Sequence, residues 1–250
     1  MQQNNVLCDL YIGKNAGKKL MQEIDETKQS LKIISPFLSA PLVQKLIDLY
    51  KNGIDVQLIT TDTIMEKTEQ SNDVFRQLIS QRKIYNHKAK TLKFIISILC
   101  AVLWGASVFM IGQHFMQDHA KDSSLISIGI SLFLAIVTTI IIFNIKTYHY
   151  HYDSIFPLKF LIAPDNAQFP IKTFVHSKVY VIDDEIMYWG SLNFTSKGTT
   201  DNYETSVRTI DKEAINKMSL EFHRLMKTDK LLERYLSIWG ERIYSVEEKN

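Results

Sequence analysis

The sequence predicts an α/β protein, a sandwich of a mixed sheet flanked by helices, with a two-helix transmembrane hairpin inserted into it. Strand-like and helix-like stretches alternate up to about residue 90 and resume after residue 147, and between them lie two long apolar runs, uncharged beyond the Lys93 that marks the start of the first. The soluble stretches, 1–90 and 147–250, therefore form one discontinuous domain, and 91–146 is the insertion.

The elements follow in order. Residues 6–12 read as a strand, 16–28 as a helix, 31–35 as a strand, 41–51 as a helix closed by Asn52-Gly53, 54–60 as a strand and 73–81 as a helix. After the insertion come strands at 158–163, 173–182, 186–189 and 203–210, then a helix at 212–226. Such repeated units give a largely parallel or mixed sheet.

The apolar runs, 92–112 and 125–145, are each long enough to cross a bilayer as a helix. They are apolar all round, unlike the single stripe of a helix packed on a soluble core. The connection at 113–124 is short and polar, so the two crossings form a hairpin and the flanking chain lies on one side. Arg82, Lys83, Lys88 and Lys90 precede the first run and Lys93 marks its start, without an acidic residue, and Lys146 follows the second. The connection sets Lys121 against Asp118 and Asp122. That bias predicts cytoplasmic termini and a cytoplasmic soluble domain on the inner membrane. The same basic cluster suits anionic headgroups or a nucleic-acid backbone. Tyr148-His149-Tyr150-His151-Tyr152 reads as an interfacial aromatic belt, because two histidines without a third ligand make no metal site.

Composition narrows the classes. A net charge of +2 over 250 residues argues against a histone-like nucleic-acid binder. Cys8 and Cys100 imply neither a disulfide framework nor a zinc site, and fit a reducing compartment. The N-terminal Met-Gln-Gln-Asn-Asn lacks the regions of a signal peptide, so membrane targeting is expected from inside the chain.

The chemistry concentrates between residues 176 and 204. His176-Ser177-Lys178 is followed by Asp183, then by Gly190-Ser191-Leu192-Asn193-Phe194-Thr195 and by Asn202-Tyr203-Glu204. On a strand, His176, Lys178, Tyr180 and Ile182 share one face, which sets an imidazole beside an ammonium. Attack on a phosphate diester requires that pair: a nucleophile, and a fixed cation for the non-bridging oxygens. Asp183 falls on the opposite face, in a supporting place at the strand end. Ser191 and Asn193, delivered by the end of the next strand, can hydrogen-bond a phosphoryl oxygen. Gly190 suits a sharp turn or a close backbone approach. Glu204 can accept the proton on one imidazole nitrogen and free the other.

His-x-Lys-x4-Asp followed by Gly-Ser-x-Asn resembles the signature of the phospholipase D superfamily, and every signature position is matched. The discontinuous domain of 1–90 and 147–250 is similar to one half of a two-copy phospholipase D fold, and the resemblance covers the chain except the hairpin. It implies a covalent phosphohistidine on His176, phosphate binding by Lys178 and Asn193 with help from Ser191, orientation of His176 by Glu204, and no metal or other cofactor. The family uses a second histidine to protonate the leaving group, and this chain holds one copy of the motif. His87, His114, His119 and His223 lie outside any such phrase. One imidazole cannot easily be both nucleophile and acid, so a two-fold homodimer is expected in which two His176 residues meet at one active site.

Three functions compete. A membrane-tethered endonuclease is favoured, with Lys14, Lys18, Lys19, Lys172 and Lys197 as candidate contacts to nucleic acid. A phospholipid hydrolase or transphosphatidylase, of phospholipase D or cardiolipin hydrolase type, would use the anchor to reach headgroups. A non-catalytic membrane scaffold is the least expected, because every candidate catalytic position is intact.

Overall fold

The computed structural model describes residues 2–62, 69–116, 122–164, 174–228 and 231–244. Two compact units emerge, Met1–Gln81 with Tyr152–Asn250, and Arg82–His151.

The larger unit is built on a seven-stranded mixed sheet. Its strands are β1 (Asp9–Gly13), β2 (Ser30–Ile34) and β3 (Asp55–Thr61), joined after the insertion by β6 (Leu158–Leu161), β7 (Val179–Ile182), β8 (Ile186–Gly190) and β9 (Glu204–Thr209). Their spatial order is β1-β9-β8-β7-β2-β3-β6. β2 pairs parallel with β3, and β3 with β6, while the β1, β9, β8, β7, β2 ladder is antiparallel throughout. β2 is buried from Leu31 to Ile34, as a central strand covered on both faces must be.

Helices cover both faces. On one face α1 (Lys18–Asp25), α2 (Ala40–Lys51), α3 (Glu69–Leu78) and α8 (Leu236–Tyr244) deliver Leu20, Leu46, Phe75 and Trp239 against Leu31, Ile33, Tyr180 and Tyr188. On the other, α7 (Lys212–Lys227) lays Ala214, Ile215, Phe222 and Leu225 over Ile34, Ile59, Val179 and Val181. β7 shows why the alternation matters: Tyr180 and Ile182 enter the first cluster, Val179 and Val181 the second. The start of α7 is fixed by Asp211, whose carboxylate accepts the Ala214 N–H at 2.8 Å. Asp183 and Asp184, both at φ +53°, make the tight β7–β8 turn.

In the second unit, α4 (His87–Met116) and α5 (Asp122–Asn144) pack on each other through small and polar groups. The Ser107 and Ser131 hydroxyls lie 2.7 Å apart, and the Trp104 indole donates to Thr139 Oγ1 at 3.2 Å. Their remaining surface is apolar and open, with Phe94, Val102, Val108, Phe109, Ile126, Phe133, Ile140 and Phe143 exposed. Both helices are long and apolar enough to cross a membrane.

Several elements differ from the sequence expectation. β7 begins at Val179, and residues 174–178 form no strand, although a strand over 173–182 was expected; Thr173 lies outside the described residues. The reason is the partner: Val179 pairs with Ile34, the last residue of β2, and Pro36 just beyond has no N–H to offer. Residues 148–152, read as an interfacial belt, lie in strand β5 (Tyr148–Ser154), paired with β4 (Ile79–Tyr85) in a separate two-stranded sheet. A strand at β4 was not expected, nor were α8 and the short α6 (Ser196–Thr200). Asp118, His119, Lys121 and Lys172 lie outside the described residues.

Candidate active site

One end of the sheet gathers the signature phrases. The register aligns Val179 with both Ile34 and Trp189, Gly190 with Ser206, and Glu204 with Gly13. The start of β7, the end of β8, the start of β9 and the end of β1 therefore meet at the same edge. His176 and Lys178 lead into that edge, Ser191 and Asn193 leave it, and Glu204 stands on it.

Lys178 is 7% exposed. Its ammonium lies 3.1 Å from Nδ1 and 3.2 Å from Nε2 of His176 and donates to the His176 carbonyl at 2.9 Å. Burial pushes the Lys178 pKa below the ordinary lysine value, and the negative charge of Glu204 partly offsets that fall. The His176 ring is exposed and stands between two aromatic rings, Phe174 at 5.5 Å and Phe37 edge-on at 6.5 Å between centroids.

Gly190 makes the second phrase possible. A Cβ there would stand 2.1 Å from the Thr205 carbonyl oxygen, and φ is +156°, so a side chain would force β8 off β9. With glycine in place, the Ser191 N–H donates to that oxygen at 2.9 Å. The Asn193 loop is then tied down from two sides. Buried Ser35 accepts the Phe194 N–H at 2.9 Å, and Phe194 O accepts the Ser39 N–H at 3.2 Å. Thr195 caps α6 by accepting the Gly198 N–H at 3.0 Å. The Asn193 amide itself makes no side-chain hydrogen bond among the described residues, and its oxygen is buried without a partner. Natural proteins leave few such groups unpaired.

The expected pairing of Glu204 with the His176 ring is not formed. One Glu204 oxygen takes the Ser191 hydroxyl, and the other accepts the Asn202 amide at 3.2 Å. Glu204 opens β9 one strand beyond β8, so its near neighbours are the β8 end and its own turn. Its charge still reaches Lys178. Asp183 lies at the far end of β7, five residues from Lys178, a distance of roughly 16 Å at the rise of a strand. There its carboxylate accepts the backbone N–H groups of Lys28, Gln29 and Ser30, at 3.0, 2.7 and 2.9 Å. It pins the β7–β8 turn to the start of β2 and touches none of the other signature residues through these bonds.

Sequence reasoning passed over the β1–α1 and α6–β9 turns as part of this edge. The Asn15 N–H donates to Thr200 O at 3.1 Å, and Gly17 packs so closely that a Cβ would lie 2.7 Å from Thr199 O. Exposed Lys14 and Lys18 are thereby brought beside exposed Lys197, with Asp201 on the same turn. Tyr203 is 78% exposed and reaches to within 3.7 Å of the place a Gly13 Cβ would take. Lys14, Lys18 and Lys197 were expected contacts to nucleic acid, but residues 13–19 lie far in sequence from the signature, so spacing carried no signal of their convergence. Lys19 leaves this group and pairs with Glu23 at 3.4 Å; Lys172 lies outside the described residues.

Residues 146–226 match the family model described as cardiolipin synthase, PLD-like domain, and that segment holds every signature residue from His176 to Glu204. Over that segment the chain is similar to phospholipase D-like domains. The buried Lys178 ammonium and the exposed His176 imidazole both lie within it. No curated protein matches the chain. Among solved structures, it is similar to a phospholipase D family member, Nuc from Salmonella typhimurium, at 14% identity and TM-score 0.45, covering 91% of this chain and 99% of that one. NucT from Helicobacter pylori gives 14% and 0.45, covering 92% and 100%. Phosphatidylserine synthase from Haemophilus influenzae gives 11% and 0.43, covering 99% and 46%.

Proposed function

We propose that the chain is a membrane-anchored endonuclease that cleaves phosphodiester bonds through a phosphohistidine on His176. The observation that carries the choice of nucleic acid is the rim beside the signature edge: Lys14, Lys18 and Lys197, with no ion pair formed among the described residues, and the exposed ring of Tyr203. Several cations beside an exposed aromatic ring suit a strand that continues past the scissile phosphate. A single headgroup has no use for them.

His176 attacks phosphorus, a P–N bond forms, and the bond to the leaving oxygen breaks. Lys178 and the uncommitted Asn193 amide hold the non-bridging oxygens, and Ser191, oriented by Glu204, assists. The leaving alkoxide takes its proton from a second imidazole, the His176 of a partner subunit in a two-fold dimer. That imidazole, now neutral, removes a proton from water as the water oxygen attacks phosphorus and the P–N bond breaks. Asp183 acts only by holding the β7–β8 turn.

The apolar, outward-facing sides of α4 and α5 support insertion of the hairpin, with spans near 92–112 and 125–145, into the inner membrane. Residues 1–90 and 147–250 then form the catalytic domain, cytoplasmic together with both termini, as the basic flanks favour. The description of the matching family model favours phospholipid as the second reading, a hydrolase or transphosphatidylase.

Purified protein offered single-stranded DNA, RNA, cardiolipin and phosphatidylglycerol in parallel should cleave nucleic acid. Acid-labile, alkali-stable label from radiolabelled internal phosphates should be trapped on the protein and be absent from His176→Ala. Release of phosphatidic acid without nucleic-acid cleavage would select the phospholipid reading. Cleavage by His176→Ala would remove the mechanism.

A further inference from the structure

The β4–β5 ribbon and the first turns of α4 carry a concentration of charge that catalysis does not use. Arg82, Lys83, Lys88, Lys90, Lys93 and Lys146 fall in a unit with no Asp or Glu among residues 82–116 or 123–151. All are exposed except Lys93, which is half-buried. The ribbon holds them in a defined place. The Asn86 N–H donates to Thr147 O at 2.8 Å, closing the ribbon, and the Asn86 side chain caps α4 by accepting the Ala89 N–H at 3.1 Å. The Lys83 ammonium stands 3.7 Å from the Tyr148 ring centroid and 5.5 Å from that of Tyr85.

Two physical features call for an occupant. A two-stranded ribbon is marginal in water, and this one leaves Ile84, Tyr85 and Tyr148 exposed. α4 is also longer than a crossing needs: 30 residues span about 45 Å, against a hydrocarbon core of about 30 Å. With its apolar stretch in the bilayer, the turn bearing Lys88 and Lys90 falls at headgroup level, where tyrosines also settle.

We propose that this ribbon and the start of α4 form a binding surface for anionic phospholipid headgroups, in which Lys83, Lys88, Lys90 and Lys146 engage phosphates and Tyr85 and Tyr148 enter the interface. The occupant follows from charge complementarity and from continuity with the two apolar helices, and the proposal rests on the reading of those helices as bilayer-spanning. It uses none of the signature residues between His176 and Glu204.

Full-length protein carrying His176→Ala, which removes turnover, is titrated in nonionic detergent with phosphatidylglycerol or phosphatidylcholine while melting temperature and lipid retention in native mass spectrometry are followed. Phosphatidylglycerol should raise the melting temperature and be retained, and phosphatidylcholine should do neither. Combined Lys83→Gln, Lys88→Gln, Lys90→Gln and Lys146→Gln should weaken the effect about tenfold or more, and the matching four-arginine variant should keep it. Molar salt should weaken it in the parent without any substitution. Equal response to both lipids, an undiminished response in the glutamine variant or in molar salt, or displacement of the lipid by an oligonucleotide would overturn the proposal. Alkaline carbonate separates the two readings: protein that stays in membranes yet ignores phosphatidylglycerol loses only this surface, and protein that is extracted loses the anchor as well.

Discussion

The Lys178 ammonium stands almost equidistant from the two ring nitrogens of His176, at 3.1 and 3.2 Å. Both groups lie just before the sheet edge, so the cation is built into the site by burial and cannot swing away as a surface lysine would. Its depressed pKa has a consequence for activity. The phosphate-binding charge is lost at a pH below that of an ordinary lysine, so the rate should fall on the alkaline side earlier than a free lysine would dictate. Glu204 opposes the depression, and Glu204→Gln should therefore move that alkaline limb further down in pH. A pH–rate series on both proteins checks the direction of the shift.

Gly190→Ala should be costly for a local reason. The new methyl would meet the Thr205 carbonyl at 2.1 Å, which neither strand can absorb without breaking the β8–β9 ladder. Destabilisation of roughly 1 to 3 kcal/mol is expected, with loss of activity as Ser191 and Asn193 shift. Thermal unfolding in detergent and a cleavage assay measure the two effects.

Glu23 anchors a buried cluster remote from the catalytic chemistry. It accepts the Tyr188 hydroxyl at 2.6 Å and two Arg208 nitrogens at 3.0 and 3.1 Å, and is 6% exposed. Burial raises its pKa, but the Arg208 and Tyr188 bonds outweigh burial and the net shift is downward. A lowered folded pKa means stabilisation that is present above the unfolded value and lost as the pH falls through the folded one. Glu23→Ala, which strands Arg208, should cost about 3 to 5 kcal/mol. It should also flatten the loss of stability in acid, as unfolding curves between neutral and acidic pH would record.

Much of this was legible in the sequence. The strand alternation of β7, the Asp183-Asp184 turn, the apolar helices and the supporting place of Asp183 could all be read from residue type and spacing. What escaped depended on partners distant in sequence. β7 starts late because β2 ends at Ile34, and Glu204 meets Ser191 because β8 and β9 are adjacent. The tyrosine-histidine repeat became a strand because β4, a polar and unremarkable stretch, lies opposite it. Nor does the sequence show that the turn after Gly13 closes on Thr200, which is what gathers the rim lysines.

That rim should matter for long substrates only. Combined Lys14→Ala, Lys18→Ala and Lys197→Ala should weaken binding of a single-stranded oligonucleotide and reduce its salt dependence by up to about two in the logarithmic slope. Turnover of a small diester such as bis(p-nitrophenyl) phosphate should be preserved. Fluorescence anisotropy at several salt concentrations, alongside the chromogenic assay, distinguishes a binding rim from a structural one.

A chain with one signature histidine should supply half of an active site, and subunit mixing tests that directly. Wild-type and His176→Ala chains, co-expressed with different tags, are purified through both tags so that only mixed dimers remain. A shared site needing both imidazoles predicts that the mixed dimer has almost no activity. A mixed dimer with about half the activity of the wild-type dimer, or a fully active monomer from which no mixed species can be isolated, would contradict it.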